Sequence, residues 1–136
     1  MAYADILSSD IATQAQYYAG TASKLAQTGI IYPAETTTTF GSTTTFDFST
    51  FINTAVTLTG NITTMTLSNV TAGKSGTIAF IQDGVGSRTS VFSTTFKFPG
   101  GTVPTLTTGA AAAVDILSYS CRSASFCTAT LLKDVK

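Results

Sequence analysis

Histidine and tryptophan are both missing from this 136-residue chain, and ionisable side chains of any kind are scarce. Histidine titrates near neutral pH without help, so its absence removes the commonest general base and metal ligand. The acids are Glu35 and six single aspartates, Asp5, Asp10, Asp47, Asp83, Asp115 and Asp134, with no close pair in sequence. Cys121 and Cys127 have no histidine with which to form a nucleophile pair, and two thiols cannot complete a tetrahedral zinc site. The expectation is a chain that is not an enzyme and that carries no cofactor and no metal. Charged residues make up 10% of the sequence, against about 25% in a typical soluble domain. No basic stripe exists to neutralise phosphates, so nucleic acid is not an expected partner. Every long apolar stretch is broken by Thr, Ser, Asp or Gly, which predicts no transmembrane span. The opening Met1-Ala2-Tyr3-Ala4-Asp5 lacks a basic region before an apolar run, so no secretory signal is expected either.

What is present points to packing. Seven bases balance seven acids, and 43% of the residues are hydrophobic. Mean hydropathy is +0.30. A chain with no net charge and that much apolar surface is expected to associate, which favours an oligomer. Threonine is in surplus, with 28 copies beside 14 serines. It is β-branched and polar, which suits the solvent side of a strand. The length is near the modal size of one domain with a real core.

Along the chain the composition changes near Pro33. Ile11, Ala15, Tyr18, Ala22 and Leu25 recur at helical spacing, with Ser8 or Ser9 as a start and Gly29 as an end. Residues 1–33 are therefore predicted to form a short N-terminal helix or arm, with Ile11, Tyr17, Tyr18 and Leu25 as candidate subunit or capsid contacts. Residues 34–136 are predicted to form a β-domain, a small sandwich or jelly-roll-like barrel. Within it Val56, Leu58, Ile62, Met65 and Leu67 alternate with threonines around a Gly60-Asn61 turn. The segment Asp83-Gly84-Val85-Gly86-Ser87 reads as a hairpin turn whose return strand runs over residues 88–98. The last strands, residues 114–121 and 126–132, flank Arg122-Ser123-Ala124-Ser125. A threonine ladder of the ice-binding kind is set aside, because it needs a coil-length repeat and no fixed period is visible.

The short motifs favour turns over chemistry. Gly73-Lys74-Ser75 looks like the end of a phosphate-binding loop, but Ser68 stands where that motif needs glycine and a strand follows instead of a helix. Gly84-Val85-Gly86 is too short for a dinucleotide fingerprint. Asp83 and Arg88 flank one loop and could pair across it, with Arg88 as a further candidate partner contact. Asp115 opens an apolar strand, where a carboxylate more often accepts backbone N–H bonds than performs chemistry. Cys121 and Cys127 lie six apart across a predicted hairpin, as a cross-strand disulfide or, more in keeping with a reducing cytosol, as two small buried thiols. The sequons Asn61-Ile62-Thr63 and Asn69-Val70-Thr71 are explained by chance in a threonine-rich chain.

From Leu58 to Cys121 a run of turns and strand ends adds a resemblance. It comprises Leu58-Thr59-Gly60-Asn61, Gly73 with Gly76-Thr77, Gln82-Asp83-Gly84 with Gly86-Ser87-Arg88, Phe96-Lys97-Phe98-Pro99-Gly100-Gly101, Pro104-Thr105-Leu106-Thr107 and Val114-Asp115-Ile116-Leu117. This order is similar to a β-rich module recurring in tail fibres, tail tips and head-decoration proteins of tailed phages. It covers about half the chain; residues before Leu58 match nothing comparable, and the ending lacks the Gly- and Trp-containing hairpin often found there. The resemblance implies a structural role in the virion and trimerisation, with no active site. It makes Gly60, Gly73, Asp83, Gly84, Gly86, Pro99, Gly100, Gly101, Pro104 and Asp115 structural turn residues. A chain starting at Met1 with only a short N-terminal segment suits a capsid decoration (cement) protein, made in the host cytoplasm and carried on the capsid's outer surface. Its expected partners are two further copies of itself and the major capsid protein. The alternative is a short tail-fibre or baseplate protein that binds a host receptor.

Overall fold

A computed structural model describes residues 33–109 and 111–136. The segment carrying Ile11, Tyr17, Tyr18 and Leu25 lies outside the described residues. Eight strands follow: β1 (Thr36–Thr37), β2 (Thr43–Asp47), β3 (Asn53–Leu58), β4 (Thr64–Ser68), β5 (Ser75–Gln82), β6 (Phe96–Lys97), β7 (Val114–Ser123) and β8 (Phe126–Leu132). The described chain is all-β, with one tight turn of 3-10 type at Pro99–Gly101. No helix among the described residues is long and apolar enough to cross a membrane.

Six strands form one sheet in the order β1-β3-β5-β7-β8-β6, and β2 and β4 form a second. From β1 to β5 the chain alternates between the two sheets, so each strand pairs in parallel with the next but one. Thr36 pairs with Thr54, Thr43 with Thr64 and Asn53 with Thr77, offsets of 18, 21 and 24 residues. The chain thus winds as a flattened coil, and a parallel bridge from Ile62 to Ser90 begins a third turn beside β4. The antiparallel hairpin of β7 and β8 then closes onto β5.

Alternation decides which side chains face inward. In β2, Thr44 and Phe46 are buried while Thr43 and Thr45 are exposed. In β7, Asp115, Leu117, Tyr119 and Cys121 point inward, and Ser118 and Ser120 outward. The inner faces of both sheets meet in one aromatic core. The ring of Phe46 on β2 packs edge-on against Phe80 on β5, with centroids 6.1 Å apart. The ring of Phe48 lies tilted against that of Tyr119 on β7, with centroids 4.9 Å apart. Each fully buried phenylalanine contributes about 1.5–3 kcal/mol of hydrophobic stabilisation. The buried threonines are satisfied: Thr44 donates to the Gly41 carbonyl at 2.6 Å, and Thr54 pairs with the Thr38 hydroxyl at 2.8 Å.

The Gly60-Asn61 turn leads from β3 into β4, a strand of the other sheet. One sequence expectation about strand pairing changes. Residues 88–98 do not return along β5; β7 occupies that edge, and only Phe96 and Lys97 pair, in parallel with β8. Phe92, Phe96 and Phe98 nevertheless pack together, with Phe92 lying 5.4 Å from Phe98. The coil also accounts for the missing period, since its turns differ in length.

Candidate functional site

The loop after β5 is fastened from both ends. Gln82 is buried, and its amide nitrogen donates to the carbonyls of Arg88 (2.8 Å) and Thr107 (3.0 Å). Its amide oxygen accepts from the Arg88 N–H at 2.8 Å. The Asp83 carboxylate accepts the backbone N–H groups of Val85 (3.1 Å) and Gly86 (2.9 Å), and Arg88 pairs with it at 2.9 Å. The hydrogen bond from Arg88 and those from the loop amides hold Asp83 below the usual carboxylate range. Gly86 lies at φ 73°, in the left-handed region that favours glycine. Arg88 therefore folds back on its own loop, and Val85 projects from it, 75% exposed.

Asp115 ties three segments together at the same end of the molecule. It is buried and accepts the N–H of Thr107 at 2.5 Å and that of Asp134 at 2.8 Å. Its partners lie in distant segments and not in the bend beside it. Pro99, Gly100 and Gly101 form the turn after β6, with both glycines at positive φ. Pro104 lies in the irregular segment that follows, two residues before the buried Leu106. Gly73, at φ 86°, turns the chain into β5, and Gly60 lies under the ring of Phe40, which a Cβ there would meet at 3.0 Å. Gly84 sits in open space in the Asp83 loop.

Gly76, Asp47 and Lys74 take positioning roles that no local sequence pattern assigns to them. Gly76 lets the Tyr119 hydroxyl donate to the Ile52 carbonyl at 2.8 Å; a Cβ at 76 would run into that carbonyl oxygen. Burial raises the Tyr119 phenol above its ordinary value. Asp47 accepts from Asn69 (2.7 Å) and from the Ser49 hydroxyl (2.7 Å), bonds that pull its carboxyl below the usual range. Lys74 donates to the Phe48 carbonyl, and burial lowers its ammonium. The only sequence signal for Gln82 is a polar residue at the inward end of an apolar strand.

The outer face of the six-stranded sheet is built of rows set by strand register. Register aligns Ala55, Ala79, Ile116 and Leu132 in one row across β3, β5, β7 and β8. The next rows are Asn53, Thr77, Ser118 and Thr130, then Ser75, Ser120 and Thr128, ending on Lys97 of β6. Leu132 is 65% exposed. At the hairpin end this face is hollowed into a groove of about 490 Å³ between Phe126 and Pro99. Cys121 and Cys127 lie opposite each other behind it, buried and joined by a disulfide. This replaces the two buried thiols that a reducing compartment would favour. The second sheet presents another hydroxyl surface, with Thr43 and Thr45 opposite Thr64 and Thr66 and the Thr45 and Thr66 hydroxyls 2.5 Å apart.

Among the described residues no three His, Cys, Asp or Glu side chains come together as a metal site. What the arrangement offers is contact area and hydroxyls that both donate and accept. No family model, curated protein or solved structure matches the chain.

Proposed function

We propose that the chain is a non-catalytic virion component of a tailed phage: a head-decoration (cement) protein that binds the major capsid protein across capsomer seams as a homotrimer. In this reading the two facing sheets make a small β-sandwich, and residues 1–33 serve as the arm. The observation that carries the proposal is the outer sheet face, broad and almost without charge, whose rows mix hydroxyls with alanine, isoleucine and leucine. Such a surface suits burial against a protein partner better than binding of a small substrate. The turn residues in the resemblance to phage virion modules support the same reading. Asp83, Gly86, Arg88 and Asp115 spend their polar groups inside the fold. Each copy would add modest contact across a seam, and a trimer would gain from effective concentration without strong individual contacts. The test is to mix purified protein with expanded empty heads and image them. Many symmetry-related copies on the shell are expected; a few copies confined to the tail would overturn the reading.

One observation favours the receptor-binding alternative. Phe126, 40% exposed, stands at the tip of the β7–β8 hairpin beside the groove, where Ser120 and Thr128 add hydroxyls to a mainly apolar lining. An aromatic ring next to hydroxyls is a surface on which a sugar can stack. Binding of the isolated protein to host cells, lost in Phe126→Ala, is the result this reading requires.

A further inference from the structure

The groove at the hairpin end differs from the flat rows beside it. It is lined by the outward row of Ser120, Thr128 and Lys97, between Phe126 and Pro99. The disulfide behind it and the pairing of β6 with β8 fix its base in advance, so binding there requires little ordering. Of the nine phenylalanines, Phe126 alone is exposed. The Thr128 hydroxyl donates to the Ser120 carbonyl at 3.1 Å, which keeps its own lone pairs for an incoming donor. The Lys97 ammonium donates to the Thr94 carbonyl and has further N–H donors to offer.

Charge narrows the ligand. None of the described residues lining the groove is acidic. Asp83, Asp115 and Asp134 stand at the opposite end of the sheet, and Asp47 is taken up by Asn69 and Ser49. Glu35 precedes β1, at the opposite edge of the sheet from β6. Arg122, exposed and two residues beyond Ser120, adds a second positive charge near the hairpin tip. Cations without carboxylates are complementary to an anion. The ring and hydroxyls then narrow the class. A pyranose presents a C–H face to an aromatic ring and hydroxyls to serine and threonine, whereas an acidic peptide engages the cations alone. The volume of about 490 Å³ falls within the roughly 300–1,000 Å³ of small-ligand sites.

We infer that this groove binds an acidic saccharide. Lys97 meets the sugar carboxylate, Phe126 meets the ring face, and Ser120 and Thr128 meet the sugar hydroxyls. The inference rests on the receptor-binding reading and adds to it the class of ligand.

Fluorescence anisotropy on the full chain tests it, with labelled trigalacturonate as the probe and its methyl ester as the neutral sugar of like shape. Trigalacturonate should bind about tenfold more tightly than the ester, and Lys97→Gln should erase most of that preference. Phe126→Ala should weaken binding about tenfold, and Phe126→Tyr, which keeps a ring, should restore it. Lys133→Gln removes the same charge at the other end of β8 and should change nothing. All three positions are exposed, so the variants should keep the wild-type circular dichroism spectrum. Absence of trigalacturonate binding at millimolar concentration overturns the inference. So does equal binding of acid and ester, or equally tight binding of labelled hexaglutamate, which carries the charge without the rings. Attachment to host cells through Phe126 with no trigalacturonate binding removes this inference and keeps the receptor reading. Sugar binding without attachment to cells keeps the groove's ligand and removes the receptor reading.

Discussion

At the scale of single residues, stability rests on a few buried polar groups that bind distant backbone. Asp115 holds the N–H groups of Thr107 and Asp134, eight and nineteen residues away. Asp115→Ala leaves both amides without that acceptor and should cost about 3 kcal/mol, at roughly 1.5 kcal/mol for each hydrogen bond to a charged group. Asp115→Asn keeps one acceptor oxygen and should cost about half as much. Urea unfolding of the two variants measures the ranking, and equal losses would count against the two-sided clasp. Gln82→Leu strips the partners from the Arg88 N–H and from the carbonyls of Arg88 and Thr107. A loss of about 2–4 kcal/mol is expected in the same assay, the range set by how many of the freed groups recover water. Asp115 was legible in sequence because a carboxylate opening an apolar strand needs internal donors. Gln82 and Gly76 were not: their roles depend on Thr107, Ile52 and Tyr119, which no local pattern connects to them.

At the scale of elements, turns and the final hairpin could be read from the sequence, whereas pairing between distant strands could not. The hairpin is local: Tyr119 faces Ala129 and Cys121 faces Cys127 across a short connection, so alternation and turn chemistry suffice. The segment over residues 88–98 misled because a glycine-rich turn after β5 usually reverses the strand. Here Gln82 and Asp83 hold the loop closed, and β7 takes the open edge of β5. The disulfide gives the hairpin its own test. Denatured but unreduced protein should take up no thiol label, and two after reduction. Replacing both cysteines by alanine should cost about 2 kcal/mol, the loop-closure entropy of so short a ring. The turn carboxylates give a second. Asp47 and Asp83 both titrate below their ordinary value in the fold. A depressed carboxyl stabilises the fold above its unfolded pKa, about 4, and loses that contribution as pH falls through the lower folded value. Melting temperature should therefore fall below pH 4, and Asp83→Asn should flatten the decline.

At the scale of the whole molecule, the coil from β1 to β5 is what the sequence hides. Its parallel partners stand 18, 21 and 24 residues apart, so no single period survives in the threonines that line it. Composition, by contrast, speaks directly at this scale. Where the described chain pairs its charges, it does so locally, Arg88 with Asp83 and Lys136 with Asp134, which leaves the sheet faces to hydroxyls and apolar groups. Association through such faces has little electrostatic character to screen. Raising salt from about 0.05 M to 0.5 M shortens the Debye length from roughly 14 Å to 4 Å, which weakens contacts between exposed charges and spares apolar ones. Sulfate acts in the opposite sense, strengthening burial by its exclusion from protein surface. The proposed trimer should therefore keep its mass, within about twofold in dissociation constant, across that range of sodium chloride. It should tighten in ammonium sulfate. Sedimentation at fixed protein concentration reads both. Dissociation by sodium chloride would mean that charged groups carry the contact, and Lys97 and Arg122 at the hairpin end would then be the first residues to replace.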